Sequence, residues 1–187
     1  MAVAVLAAGV ALTACSAPVE AGAAAIVGDE RISASTLNGK VQELESAVKR
    51  LQVQVDPAMK PAQTVLGQMV MVVRYQQILD KARVSVSDGE LDQYIAAQGG
   101  TAALDPVLVA AGVAPSQVRE YIRTSLAAGK LAQALGGGTD QAAGQAGQAK
   151  AQALALQIKV TVSPRYGHFD DKVGTFAASD AFGKVAE

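Results

Sequence analysis

The chain holds one cysteine, Cys15, and one histidine, His168, near opposite ends of its 187 residues. That inventory excludes most catalytic constellations. Nucleophile–base pairs built on Cys or His need partners the chain lacks, and zinc sites draw mainly on the same two residue types. His168 stands beside Phe169, Asp170 and Asp171, the setting of a surface histidine rather than a general base. Carboxylates gather at Asp88, Glu90 and Asp92. An EF-hand calcium loop counted from Asp88 would need glycine sixth and glutamate twelfth, and neither is in place. Ser87-Asp88-Gly89-Glu90 reads instead as a helix-capping box, Ser87 serving an N–H three residues on and Glu90 reaching back. Gly136-Gly137-Gly138 lacks the Lys-Ser/Thr of a phosphate-cradling P-loop, and no carboxylate spacing points to glycoside hydrolysis. We expect no enzyme, no cofactor and no metal.

The lone thiol has a different use. Residues Ala2 to Ala14 carry no charge, and a run of that length is short of the ~20 residues of a membrane-spanning helix. With small Thr13 and Ala14 at its end it reads as the apolar region of an export signal. Leu12-Thr13-Ala14-Cys15 resembles the lipobox of bacterial lipoproteins. The resemblance implies cleavage before Cys15, acylation of its sulfur, and anchoring at the extracytoplasmic face of the membrane; two acyl chains hold where one is marginal. The alternative is a buried cysteine in a short helix. Export signals carry Lys or Arg ahead of the apolar region and none is present, so translation is expected to start upstream of Met1. The expected organisation is a signal peptide over 1–14, a lipidated tether over 15–23, a helical domain over 24–167 and a tail over 168–187.

Sixteen basic and seventeen acidic residues nearly cancel, leaving a net charge of −1 without a basic run. Nucleic-acid binding, which needs Lys and Arg gathered against phosphates, is not expected. Ala, Gln and Glu favour helix; tryptophan is absent. The chain should be mainly α.

The elements follow in order. Ala25-Ile26-Val27 is β-prone, Gly28-Asp29 signals a turn, and Arg31-Ile32 resumes before Ser33 or Ser35 caps a helix. Leu37, Val41, Leu44, Val48 and Leu51 share one face of that helix, to about Gln52. Asp56-Pro57 breaks the chain and Pro61 opens a second helix, apolar nearly all round from Val65 to Val73. A short helix from Asp88 stops at Gly99-Gly100, and a weaker piece runs through Val107-Leu108-Val109. A strong helix opens at Pro115-Ser116. Asp140 to Leu156 is an Ala/Gln/Gly helix in which Gly144 and Gly147 each cost ~1 kcal/mol against alanine. From Gln157 to Val162 the period changes to two, a strand.

An early short strand, a run of helices and a late strand followed by Ser163-Pro164-Arg165-Tyr166-Gly167 together resemble the SurA-type N-terminal domain family, extracytoplasmic chaperones related to PrsA-type foldases. Ala25 to Ile32 with its capped helix and Val160 to Gly167 carry the resemblance, which spans about Ala24 to Asp170. It implies a helical bundle closed by a small two-stranded pairing of the N-terminal and C-terminal strands. Members often insert a parvulin prolyl-isomerase domain before the last helix; Leu135 to Leu154 leaves about twenty residues, where a domain needs ~50. The implied function is chaperone-like binding of unfolded or newly exported polypeptides without isomerase activity. The alternative is a scaffolding lipoprotein that holds one folded envelope partner.

Such binding needs adaptable apolar surface, to which methionine is suited. Met69, Met71 and Tyr75, with Tyr94 and Tyr121, are the candidates for lining a groove, or else are simply core. All three phenylalanines, Phe169, Phe176 and Phe182, lie in the last twenty residues. The tail that carries them should lie back on the helical body, either completing it or masking the groove.

Overall fold

The computed structural model describes residues 21–56, 60–138 and 140–177. The export signal and Cys15 lie outside the described residues, as does Phe182. Strand β1 (Ala23–Val27) and strand β2 (Glu30–Ser33) form an antiparallel hairpin. Its turn favours glycine because Gly28 has φ +56°, in the left-handed region; a Cβ there would meet only the tip of the Gln77 side chain, which can turn aside. Ser33 ends β2 and caps helix α1 (Ala34–Leu51), its hydroxyl accepting the Thr36 N–H at 3.0 Å. The expected apolar face is inward, with Leu37, Leu44 and Ala47 buried.

Helix α2 (Pro61–Ala82) opens on proline and buries Val65, Leu66, Val70, Val73, Arg74, Ile78 and Leu79. It packs against α1 and β1 before it and against three later elements of the fold, which is why its apolar positions are not confined to one stripe. Helix α3 (Asp88–Ala97) begins with the anticipated capping box: the Ser87 N–H donates to Glu90 Oε2 at 2.9 Å, and the Glu90 N–H to Ser87 Oγ at 3.3 Å. Gly99 and Gly100, both at positive φ, turn the chain into α4 (Thr101–Ala110). The weak helical piece is therefore longer than expected, and it contains Pro106. A 3-10 turn at Pro115–Gln117 leads into α5 (Val118–Gly136), and Asp140 caps α6 (Gln141–Leu156) by accepting the Ala143 N–H at 2.7 Å.

Strand β3 (Val160–Val162) then pairs antiparallel with β1, Ala25 opposite Val162 and Val27 opposite Val160. The two ends of the fold meet as the resemblance implied. The sheet is three-stranded in the order β2-β1-β3 rather than two-stranded, because the Gly28-Asp29 turn folds Arg31-Ile32 back on the outer edge of β1. The strand is also shorter than the alternation from Gln157 suggested, since α6 continues to Leu156 and Gln157 caps it. Beyond a 3-10 turn at Pro164–Tyr166, a second small hairpin joins β4 (Phe169–Asp170) to β5 (Thr175–Phe176). Its two phenylalanine rings meet edge to face, centroids 5.1 Å apart, and both pack against the core.

The acids considered for calcium are spent on α5. Asp88 pairs with Arg123 at 2.6 Å, Glu90 with Lys130 at 2.5 Å and Asp92 with Arg119 at 2.8 Å. Among the described residues no group of three or more His, Cys, Asp or Glu could hold a metal ion. Pairs this exposed contribute little singly, yet they give the fold an acid edge. The Lys130 ammonium, with help from Ser87, holds the Glu90 carboxyl down from 4.5 to about 2. Partial burial pushes the Glu43 carboxyl up, but hydrogen bonds from Ser116 and the nearby Lys40 bring it net below its ordinary value. A folded pKa below the unfolded one contributes stability above the unfolded value, and that stability is lost as pH falls through the folded one. The melting temperature is therefore expected to fall between about pH 4.5 and pH 2. Glu90→Gln keeps the capping reach but loses the charge, so it should melt lower at pH 7 and show a shallower acid decline. Parallel pH profiles of the two proteins would refute the assignment.

Candidate functional site

Helices α2, α5 and α6 do not close on one another along their whole length. Between them runs a cleft of about 520 Å³, a volume typical of ligand sites. Residues three and four apart on a helix share a face, so α2 contributes Gln68, Met71, Val72 and Tyr75. The same spacing on α5 presents Tyr121, Thr124, Ser125 and Ala128. Helix α6 supplies Gln148, Ala151 and Gln152.

The α6 wall stands where it does because α5 and α6 touch through small residues. A Cβ on Gly147 would lie 1.9 Å from the Ala132 carbonyl oxygen, and one on Gly136 would lie 2.3 Å from that of Ala143. The helices meet backbone to backbone, and the cleft floor is set by Ala132 and Ala151 instead of by bulky side chains.

The electrostatics of the cleft are as informative as its shape. Among the described residues no charged side chain lines it; the polar groups are amides and hydroxyls. Tyr75 is half-buried, and burial pushes its phenol above the usual tyrosine value of 10, so it stays neutral at physiological pH. Such a site can take apolar side chains on its floor and offer neutral donors and acceptors to a peptide backbone. Among the described residues that line it, none is a nucleophile with a matched base.

Three of the candidate binding residues, Met71, Tyr75 and Tyr121, line this one cleft. Met71 is 38% exposed and stands on its rim. Tyr94, also 38% exposed, lines a separate cleft of about 550 Å³ between α3 and α5, where Glu90 and Lys130 are neighbours. Met69 lines neither cleft and packs against the core.

Two features were missed from sequence. Gln148, Ala151 and Gln152 lay in a run read as low complexity, although Gly147, Ala151 and Ala155, at intervals of four, mark a close-packing stripe beside the glutamines. The second is Gly129, which with Ser125 lines both clefts. A Cβ there would meet nothing within 4 Å. Packing does not require this glycine, which costs ~1 kcal/mol inside a helix; its effect is to leave a low saddle between the clefts.

A family model described as the SurA-like N-terminal domain matches residues 1–132. The match ends within α5, so α6, β3 and the second hairpin lie beyond it. No curated protein and no solved structure gives a significant match.

Proposed function

We propose that this chain, which belongs to the SurA-like N-terminal domain family, holds unfolded or newly exported polypeptides in the cleft between α2, α5 and α6. The family is chaperone-type, and the observation that carries the finer reading is the character of that cleft. It is uncharged among the described residues, rimmed by an exposed methionine and backed by two tyrosines. Methionine adapts its shape to varied apolar partners, and tyrosine offers apolar area with a polar tip. Sequence-tolerant binding of chain segments asks for both. The residues joining α5 to α6 number only four, 137–140, and in this reading the module works without a prolyl-isomerase insert there. In the same reading Cys15 carries lipid and holds the module at the extracytoplasmic membrane face, with the tether giving it reach. Among the described residues no helix is long and apolar enough to cross a membrane. Membrane fractionation of the Cys15→Ser chain tests the anchor: continued membrane association would argue against it.

The binding experiment is suppression of light scattering by an unfolded reporter, without ATP. Substoichiometric to stoichiometric amounts of the chain should suppress aggregation. Met71→Glu puts a charge on the uncharged rim, and Gly129→Leu places a side chain on the saddle, where its Cβ meets nothing within 4 Å. Each should weaken suppression about three- to tenfold with an unchanged helical spectrum. Full suppression by both folded variants would remove the cleft from the function. No suppression by the parent chain would favour a scaffold that holds one folded partner.

A further inference from the structure

We propose that in the free protein the cleft between α2, α5 and α6 is occupied by the chain's own last residues, 178–187, with Phe182 as the anchor. The occupancy follows from the course of the chain, and only its consequence, competition with clients, rests on the function proposed above.

The chain does not leave the body after β3. Arg74, buried in α2, draws the second hairpin onto that helix by donating to the Asp171 backbone oxygen at 3.2 Å and pairing with the Asp171 carboxylate. The Ala177 N–H, donating to the His168 carbonyl at 2.9 Å, closes the hairpin. Gly174, Thr175 and Phe176 thereby form one wall of a hollow of about 410 Å³, whose opposite wall includes Gln68 and Met71 of α2. Those two residues also line the main cleft, so the hollow and the cleft adjoin across Gln68 and Met71. The last described residue is delivered to the end of a groove.

Ten residues follow Ala177, enough to extend roughly 33 Å, with Phe182 up to roughly 17 Å from the hairpin. Packed helix axes lie ~10 Å apart and one helical turn rises ~5.4 Å, so Phe182 reaches Met71 and Tyr75 without a fully extended chain. The chemistry agrees. Phe182 is the one aromatic residue in the segment, and its immediate neighbours Ala181 and Gly183 are uncharged. Its ring suits an uncharged cleft with a methionine at the rim, where sulfur–aromatic contact is favourable. The other two phenylalanines already pack against the core, Phe176 beside the hollow.

A tethered segment is present at a local concentration on the order of millimolar. A contact with a millimolar intrinsic constant is then occupied roughly half the time or more, and a client must displace it. Removing the segment should tighten client binding about two- to tenfold.

The test uses the full chain carrying Phe182→p-benzoylphenylalanine, irradiated at low micromolar concentration and mapped by mass spectrometry. Crosslinks within the monomer to Met71 or its neighbours on α2, α5 and α6 are expected. Crosslinks confined to dimers would make the occupant a second copy. Crosslinks elsewhere, or none, would also overturn the proposal. In parallel, a chain ending at Ala177 and the Phe182→Ser chain should bind a fluorescent unfolded peptide two- to tenfold more tightly than the parent. Equal affinity would overturn the masking. Intramolecular crosslinks without client binding by any of the three chains would refute the client reading and leave the occupancy standing.

Discussion

Replacing Arg74 with alanine is expected to lower the unfolding free energy by about 3–5 kcal/mol and the melting temperature by roughly 10 °C. Arg74 is 1% exposed and the largest fully buried side chain among the described residues. Its Nε and Nη2 donate to the Ile158 carbonyl at 3.2 and 3.0 Å, Nη2 reaches Asp171, and Phe169 lies 5.9 Å away in cation–π contact. One side chain thus ties α2 to the segment between α6 and β3 and to the second hairpin. Burial pulls its pKa below the usual 12.5, Asp171 opposes this, and the group stays charged. Alanine would leave a cavity and strip the Ile158 carbonyl of its donors, and an unpaired buried acceptor is costly. Asp171 is 38% exposed and can turn to water, so its freed charge adds little. Arg74→Lys should recover less than half of the loss, because a point charge cannot serve two separated acceptors as a planar fork does. Urea unfolding decides the matter: a loss under about 1 kcal/mol for Arg74→Ala would mean that the hairpin is held by its phenylalanines instead.

Nothing near Arg74 in the chain announced this role. It follows the apolar run that made α2 read as enclosed, and its partners stand 84 and 97 residues further on. What was legible was local. The Ser33 cap, the capping box at Ser87 and Glu90, Pro61 at a helix start and the Gly28 turn all depend on residues within three or four positions. The pairing of β1 with β3 was legible only through the family resemblance, since two short strands at opposite ends of a chain carry no mark of each other. The cleft was half legible. Residue type pointed to Met69, Met71, Tyr75, Tyr94 and Tyr121, but which way each faces depends on helix phase and neighbours. Two positions along a helix turn a side chain by ~200°, which separates core-packed Met69 from rim Met71. Tyr94 belongs to α3, and the ion pairs that set α3 on α5 put it across the Gly129 saddle from the others. The α6 wall was read as composition, because alanine and glycine advertise close packing only once a partner backbone is in place.

That partner backbone gives the second large effect. Gly144 and Gly147, three residues apart in α6, should respond oppositely to alanine. A Cβ at Gly144 meets nothing within 4 Å, so Gly144→Ala removes a helix penalty and should stabilise by about 0.5–1 kcal/mol. At Gly147 the same methyl would stand 1.9 Å from the Ala132 oxygen, 2.7 Å from its carbon and 3.0 Å from the Gly136 nitrogen. All three are backbone atoms of α5, and no side chain can turn away to admit it. Relief requires the helices to part, which opens the seam that Ala132, Gly136 and Ala151 fill. The helix gain is outweighed, and Gly147→Ala should destabilise by about 1–3 kcal/mol, with Gly147→Val worse still. The damage should also travel. Helix α6 leads through only three residues into β3, so a displaced α6 pulls on the β1–β3 ladder and loosens one wall of the cleft. Amide exchange should therefore quicken at Val160–Val162 in Gly147→Ala and stay slow in Gly144→Ala. Equal melting temperatures for the two variants would show that α5 and α6 are further apart in solution than their backbones stand here, and the cleft floor would have to be redrawn with them.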